Sequence, residues 1–331
     1  FLIAKRTFQL FHFKENLKDD SDAILILDHI NSDINMLIPI LLKLGTLEHP
    51  EVPIETYIRY VKSKDPDLLP IVLELVESTF SNENRKVTLP LIDFEIDTIS
   101  EGQKLFPDMI NTIDKMLTFW VKNSHYWKTG IAIHFLLKKE NTSILKNINW
   151  SDIPHNVFKD RLFNQFEQDY LYRNFLNNKL SKQEYPIMYS ILEKTIILKS
   201  VDLFNLIPGD VLNKIAQIAE EIEYEKGSKI FYEGENGDSM FIIISGKIDV
   251  TKNGHSITIL EKGHCIGEMA LLDQEPRSAD ASTLEDSILL RINQEGFYEL
   301  MATNQEIMRQ IVKILTRRVR KMNQRLTNSL K

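Results

Sequence analysis

The sequence predicts a two-part α+β chain. An all-α N-terminal part, a solenoid or bundle over residues 1–200, precedes a β-rich part with flanking helices over 201–331. Three observations carry this. The 331 residues exceed what one core usually holds. Of 12 Gly, eight fall between 227 and 296, whereas ten of 11 Pro stand at or before 208. The apolar period also changes, from 3.6 in the first part to 2 in the second.

The helical part can be read in order. Over 23–47 apolar residues recur three and four apart, at positions such as Ile30, Ile34, Leu37 and Leu41. Over 53–63, Ile54, Tyr57, Ile58 and Val61 share a side. Asp65 and Pro66 suit the start of a third helix, as N-cap and first-turn residue. Its core side carries Leu68, Leu69, Val72, Leu75 and Val76. Further helices are expected over 84–94, 109–122, 126–139, 165–177 and 185–198. No repeat recurs at a fixed period. The segment 24–93, with YVKSKDPDLLPIVLELVES and LPLIDF, resembles the HEAT-like soluble region of bacterial ATP/ADP translocase-like carriers.

The second part opens with Pro208, Gly209 and Asp210 before a helix showing Val211, Leu212, Ile215 and Ile218. Strands are expected at 241–244 and 288–292, which are fully apolar apart from Arg291. Ile248/Val250 and Ile257/Ile259 alternate with polar residues, the period of a strand. Asn253-Gly254 between them is a strong hairpin signal, because both turn residues need positive φ. Asn236-Gly237 is read as a second turn. Short strands with Gly-rich turns imply a sandwich or barrel. Helices follow at 294–302 and 305–326.

The chemistry concentrates in GHCIGEMALLDQEPRSA at 263–279. Gly267 opens one helical turn, whose free N–H groups suit an anion. Arg277 adds a guanidinium able to bond phosphate oxygens in pairs. Ser278 is a hydroxyl donor, and Glu268 can accept from a sugar hydroxyl.

This segment resembles the phosphate-binding cassette of the cyclic nucleotide-binding domain family. YEGENGDSMFIIISGKIDV and GDVLNKIAQIAEE extend the likeness over 203–326. The resemblance implies a jelly roll that binds cAMP or cGMP. It implies a ligand site of Gly267, Glu268, Met269, Ala270, Arg277, Ser278 and Ala279, with Arg277 on the cyclic phosphate and Glu268 on the ribose 2′-hydroxyl. The final helix would be a lid over the base. After Arg-Ser-Ala the family has a small or hydroxyl residue and then Val, whereas here Asp280 and Ala281 follow. Asp280 is expected to face away and Ala281 to face the base.

Other readings are weaker. Cys265 alone excludes a disulfide framework and is expected to be a buried apolar residue. The eight His show no ligand spacing, and no metal is expected. Trp120, Trp127 and Trp150 are expected in core packing. No nucleophile–base pair or phosphate-loop motif points to an enzyme. Apolar runs fall short of a membrane span, and no signal peptide stands at the start. The start at Phe1 rather than Met points to a processed form or a fragment. Residues 307–331 hold eight Lys/Arg and no acid, so the rest carries −15 against −7 for the whole chain. The stripe Met308, Ile311, Val312, Leu315, Val319, Met322, Leu326 is expected to pack that last helix on its own domain.

The expected function is therefore regulatory binding of a cyclic nucleotide, coupled to a helical interaction domain with a protein partner. No DNA partner is expected, and the expected location is cytoplasmic. The alternative is a ligand-free structural protein, or the soluble tail of a membrane nucleotide transporter with its spans upstream.

Overall fold

A computed structural model describes residues 1–123, 126–139, 141, 144–145, 189–273 and 275–329. Contacts divide the chain into Phe1–Pro154 and His155–Lys331. The boundary expected at 200/201 thus falls inside the second unit. The helix expected over 165–177 lies outside the described residues.

The first unit is helical: α1 (Leu2–Leu17), α2 (Ile24–Gly45), α3 (Ile54–Ser63), α4 (Leu69–Thr79), α5 (Asn82–Ile92), α6 (Thr98–Leu105), α7 (Ile113–Asn123) and α8 (Tyr126–Lys138). Two of these, α1 and α6, have no counterpart in the sequence reading. Asp65 caps a turn ahead of α4, accepting from Asp67 N, and does not cap the helix itself. Pro39 and Pro90 lie inside α2 and α5 rather than at helix starts. Helix α1 packs on α2, α5 and α6, so the array closes on itself as a bundle does. Ser21–Gly45 is long and apolar enough to cross a membrane, contrary to the sequence reading, although 44% of its apolar window is buried inside the unit. Its Asp33 is buried and bonded to Lys128 Nζ (2.9 Å) and Arg6 Nη2 (3.2 Å), with His29 Nε2 at 3.5 Å.

Among the described residues of the second unit, α9 (Ile191–Ser200) and α10 (Gly209–Ile218) come first. Helix α9 starts on a capping box, in which Ser190 and Glu193 bond each other's backbone N–H. Strands β1 (Glu220–Tyr224), β2 (Lys229–Phe231), β3 (Ser239–Ser245), β4 (Lys247–Lys252), β5 (His255–Glu261), β6 (Cys265–Ile266), β7 (Asp280–Thr283) and β8 (Ser287–Asn293) follow. Helix α11 (Glu268–Asp273) interrupts them, and α12 (Gln294–Thr303) and α13 (Gln305–Ser329) come last. The strands form two antiparallel sheets, β1-β8-β3-β6 and β2-β7-β4-β5, which is the jelly-roll order.

Strand β3 shows why the sequence folds this way. Its side chains alternate between faces, and both faces are covered. Met240, Ile242 and Ile244 join the core shared with Leu212, Phe297 and other helix residues. Phe241 and Ile243 join the core between the sheets, with Phe231, Ile248 and Leu289. Each such side chain contributes about 1.5–3 kcal/mol by leaving water.

At the β4–β5 hairpin, Asn253 (φ 51°) and Gly254 (φ 78°) both take positive φ, the geometry of a type I′ turn. The adjoining strand β5 does not turn its isoleucines inward. Ile257 and Ile259 are 58% and 53% exposed on an edge strand, while Thr258 and Leu260 point into the roll. Helix α13 divides its stripe as well. Ile307, Ile311 and Ile314 enter the core beneath α10 and α12, whereas Met308, Val312, Leu315 and Val319 stay exposed.

Candidate functional site

Arg277 sits between β6 and β7 in an extended segment held by its own backbone. Its N–H donates to Glu235 O and its carbonyl accepts from Gly234 N–H, both at 2.8 Å. This pairing fixes the direction of the side chain, which turns inward and is only 7% exposed. The guanidinium carbon stacks 4.2 Å from the centroid of the Phe231 ring. Nη1 donates to Gly267 O at 3.3 Å. Nε is buried and has no hydrogen-bond partner.

A buried cation is costly unless charges or hydrogen bonds compensate it. Burial pulls the Arg277 pKa below its ordinary value, against the opposing charges of Asp238 and Glu235. Asp238 is itself engaged by Arg291 (3.7 Å) and Ser239 Oγ (2.9 Å). The guanidinium is therefore short of close acceptors.

Two glycines make room for it. Gly267 has φ +72°, and a Cβ there would stand 2.2 Å from Arg277 Nη1. Gly237 needs no positive φ, so the turn reading of that residue is replaced by a close-approach reading. A Cβ on Gly237 would stand 2.7 Å from Arg277 Nε and 2.5 Å from Ala270 Cβ.

The guanidinium borders a cavity of about 240 Å³. All seven residues of the expected site line it: Gly267, Glu268, Met269, Ala270, Arg277, Ser278 and Ala279. Ala270 and Ala279 are buried, Ser278 and Met269 lie exposed at the rim, and Glu268 is half-buried. The sequence reading missed Phe231, Val250, Thr258 and Leu260, which form the opposite wall. The register Val250↔Thr258 and Val250↔Ala281 brings them there, and no local motif marks them. Cys265 also lines the cavity and is half-buried.

The short helix α11 is anchored at its C-terminal end. Gln294 Nε2 donates to Ala270 O at 2.8 Å, and Tyr298 OH donates to Leu272 O at 3.0 Å. These side chains of α12 satisfy carbonyls that a helix end leaves open.

Two expectations are corrected here. Asp280 does face away: it accepts from Glu233 N–H (2.6 Å) and Lys229 Nζ (2.9 Å), which hold its carboxyl below the usual range. Ala281, however, is fully buried between the sheets and does not line the cavity. The final helix is no lid among the described residues, since its buried isoleucines belong to the core on the helix side. No group of three His, Cys, Asp or Glu fit to hold a metal occurs among the described residues.

Residues 221–304 match the model of the cyclic nucleotide-binding domain family. A CRP-like cAMP-activated global transcriptional regulator of Mycobacterium tuberculosis is 26% identical over 137 residues, 40% of this chain and 61% of that protein. The human cGMP-dependent protein kinase 2 is 38% identical over 117 residues, 33% of this chain and 15% of that protein. The cAMP-dependent protein kinase regulatory subunit of Aspergillus niger is 33% identical over 114 residues, 34% of this chain and 28% of that protein. The chain thus spans less than two thirds of each relative. One relative is named a transcriptional regulator, so the comparisons do not support the expected lack of a DNA partner. Sheet order, cassette and family match agree on the C-terminal part: the chain carries a cyclic nucleotide-binding domain there.

Proposed function

We propose that the cavity beside Arg277 binds cAMP or cGMP and that the domain is regulatory. One observation carries the reading. Arg277 is buried at the cavity wall with an Nε that has no partner, so a bound anion would remove a standing cost. In this reading Arg277 and the first-turn amides of α11 take the phosphate. Glu268 takes a ribose hydroxyl, and Val250, Leu260 and Met269 offer apolar surface to the base. The relatives are named for both nucleotides, so the base preference is left to titration. The helical unit is the partner-binding region in this reading. Its exposed apolar side chains, among them Leu47, Phe94 and Phe119, support that role.

Calorimetric titration of the chain with cAMP and with cGMP tests the reading. Saturable heat with one of them, lost in Arg277→Leu, is the expected result. No heat and no thermal shift with either ligand at millimolar concentration refutes it.

A further inference from the structure

The helical unit holds a cavity of its own, of about 450 Å³, walled chiefly by α1, α2 and α7. Its size falls in the range of small-molecule sites. The floor is apolar and buried, built from Leu10, Phe13, Leu37, Met116 and Trp120. Phe119 stands exposed at the mouth. The charged residues of the wall are Lys5 and Arg6, both cations, and Gln9 adds an amide one turn further along α1. Among the described residues no Asp or Glu lines it.

Arg6 is not neutralised where it stands. Its Nη2 donates to Asp33 Oδ2 at 3.2 Å, and the same oxygen accepts from Lys128 Nζ at 2.9 Å. One carboxylate thus answers two permanent cations. That bond uses a single N–H of the guanidinium, which has five. The Arg6 side chain is 54% exposed, so its remaining donors lie at the solvent end of the cavity. Lys5 bonds Asp108 Oδ2 at 2.6 Å, a pair with its carboxylate in water and therefore weak. Lys128 Nζ also lies 5.7 Å from the centroid of the Trp120 ring, so its charge stands close to the cavity wall. The wall is apolar at depth and positive at the mouth.

We propose that this cavity binds a small amphipathic carboxylate of the fatty-acid class, a hydrocarbon body with one acidic head. The body lies on the floor of Leu10, Phe13, Leu37, Met116 and Trp120, where each methylene gains by leaving water. The head meets the free donors of Arg6, with Gln9 beside them. A water-sized group takes about 30 Å³, so the cavity suits a chain of about ten carbons with its head. The charge also matches. Two cations on one carboxylate leave an excess of one positive charge, which a monocarboxylate balances and a phosphate monoester overshoots. A bilayer surface fits less well, because the floor side chains are buried and out of its reach. The inference rests on the helical unit alone and stands whether or not the cavity beside Arg277 binds a nucleotide.

A terminally brominated decanoate is the probe, titrated into the full chain while tryptophan fluorescence is read. Bromine quenches an indole on contact, and Trp120 lines the cavity. Saturable quenching is expected in the wild type, and Trp120→Phe is expected to remove it. Arg6→Gln is expected to weaken binding of the carboxylate about tenfold and to leave binding of the matching brominated alcohol unchanged. Gln9→Phe places a ring in the cavity and is expected to abolish quenching by both probes, with an unchanged circular dichroism spectrum. It keeps the proposal testable if Arg6→Gln fails to fold. No saturable quenching in the wild type overturns the proposal, and co-sedimentation with anionic vesicles in its place reassigns the wall to lipid. Quenching that survives Trp120→Phe or Gln9→Phe overturns it as well. An alcohol that binds the wild type as tightly as the carboxylate refutes the acidic head.

Discussion

Arg277 and Gly267, ten residues apart, are fitted to one another. The Arg277 Nη1 donates to the Gly267 carbonyl at 3.3 Å, and a Cβ on Gly267 would lie 2.2 Å from that same nitrogen. The glycine therefore serves twice, as the positive-φ entry to α11 and as the space the guanidinium occupies.

Gly267→Ala is expected to cost about 1–3 kcal/mol through backbone strain and displacement of the guanidinium. It should remove nucleotide binding as fully as a change at Arg277. Gly237→Ala should remove binding with less loss of stability, because its φ is not positive. Gly254→Ala, with φ +78° but open space around it, should lose stability and keep binding. Denaturant unfolding paired with ligand titration of the three variants separates these cases.

Arg277→Leu is expected to leave the melting temperature of the ligand-free chain no lower than that of the wild type. Removing a buried, poorly compensated cation offsets the lost packing and the lost bond to Gly267 O. The thermal shift produced by nucleotide should vanish in the same variant. A scan with and without ligand measures both.

Gln294→Ala should weaken nucleotide binding about tenfold, or about 1.4 kcal/mol, by freeing the C-terminal carbonyls of α11. Tyr298→Phe removes one bond, to Leu272 O, and should have a smaller effect in the same direction. Neither side chain lines the cavity. Titration calorimetry would therefore read an effect transmitted through the short helix.

Asp33 governs the acid behaviour of the helical unit. Burial raises its pKa, but His29, Lys128 and Arg6 outweigh burial, and the net shift is downward. A carboxylate with a depressed folded pKa stabilises fully above its unfolded pKa. That stability is lost as pH falls below about 4 and through the folded value. Asp33→Asn should flatten this acid slope. At neutral pH it should cost about 1–3 kcal/mol, held down because Arg6 still reaches solvent. All three Trp lie in residues 1–154, so tryptophan fluorescence reports the unfolding of this unit.

Much of the site was legible because its signals are local. Gly267, Arg277 and the residues around them occupy one short stretch, and all seven expected positions meet at one cavity. The hairpin at Asn253-Gly254 was legible for the same reason, since two residues set the φ angles of the turn. Phe231, Val250 and Leu260 carry no such signal. They reach the cavity only through strand register, which pairs residues on different strands, as Phe231 with Ala281 and Val250 with both Thr258 and Ala281. The inward face of β5 was not legible, because Thr258/Leu260 and Ile257/Ile259 fit the same alternation. Only the tertiary fold turns Thr258 and Leu260 to the cavity and leaves both isoleucines exposed.

The sequence by itself determined the division into a helical and a β-rich part, the strand and hairpin pattern, and the cassette with its arginine. Periodicity and turn chemistry act over a few residues, so they are written in the chain directly. The tertiary structure alone decided that Gly237 clears space for Arg277, that Ala281 is buried between the sheets rather than at the cavity, and that Met308, Val312, Leu315 and Val319 of α13 stay exposed. Each of these depends on which distant backbone or side chain arrives alongside. That is set by sheet order and helix packing rather than by local pattern.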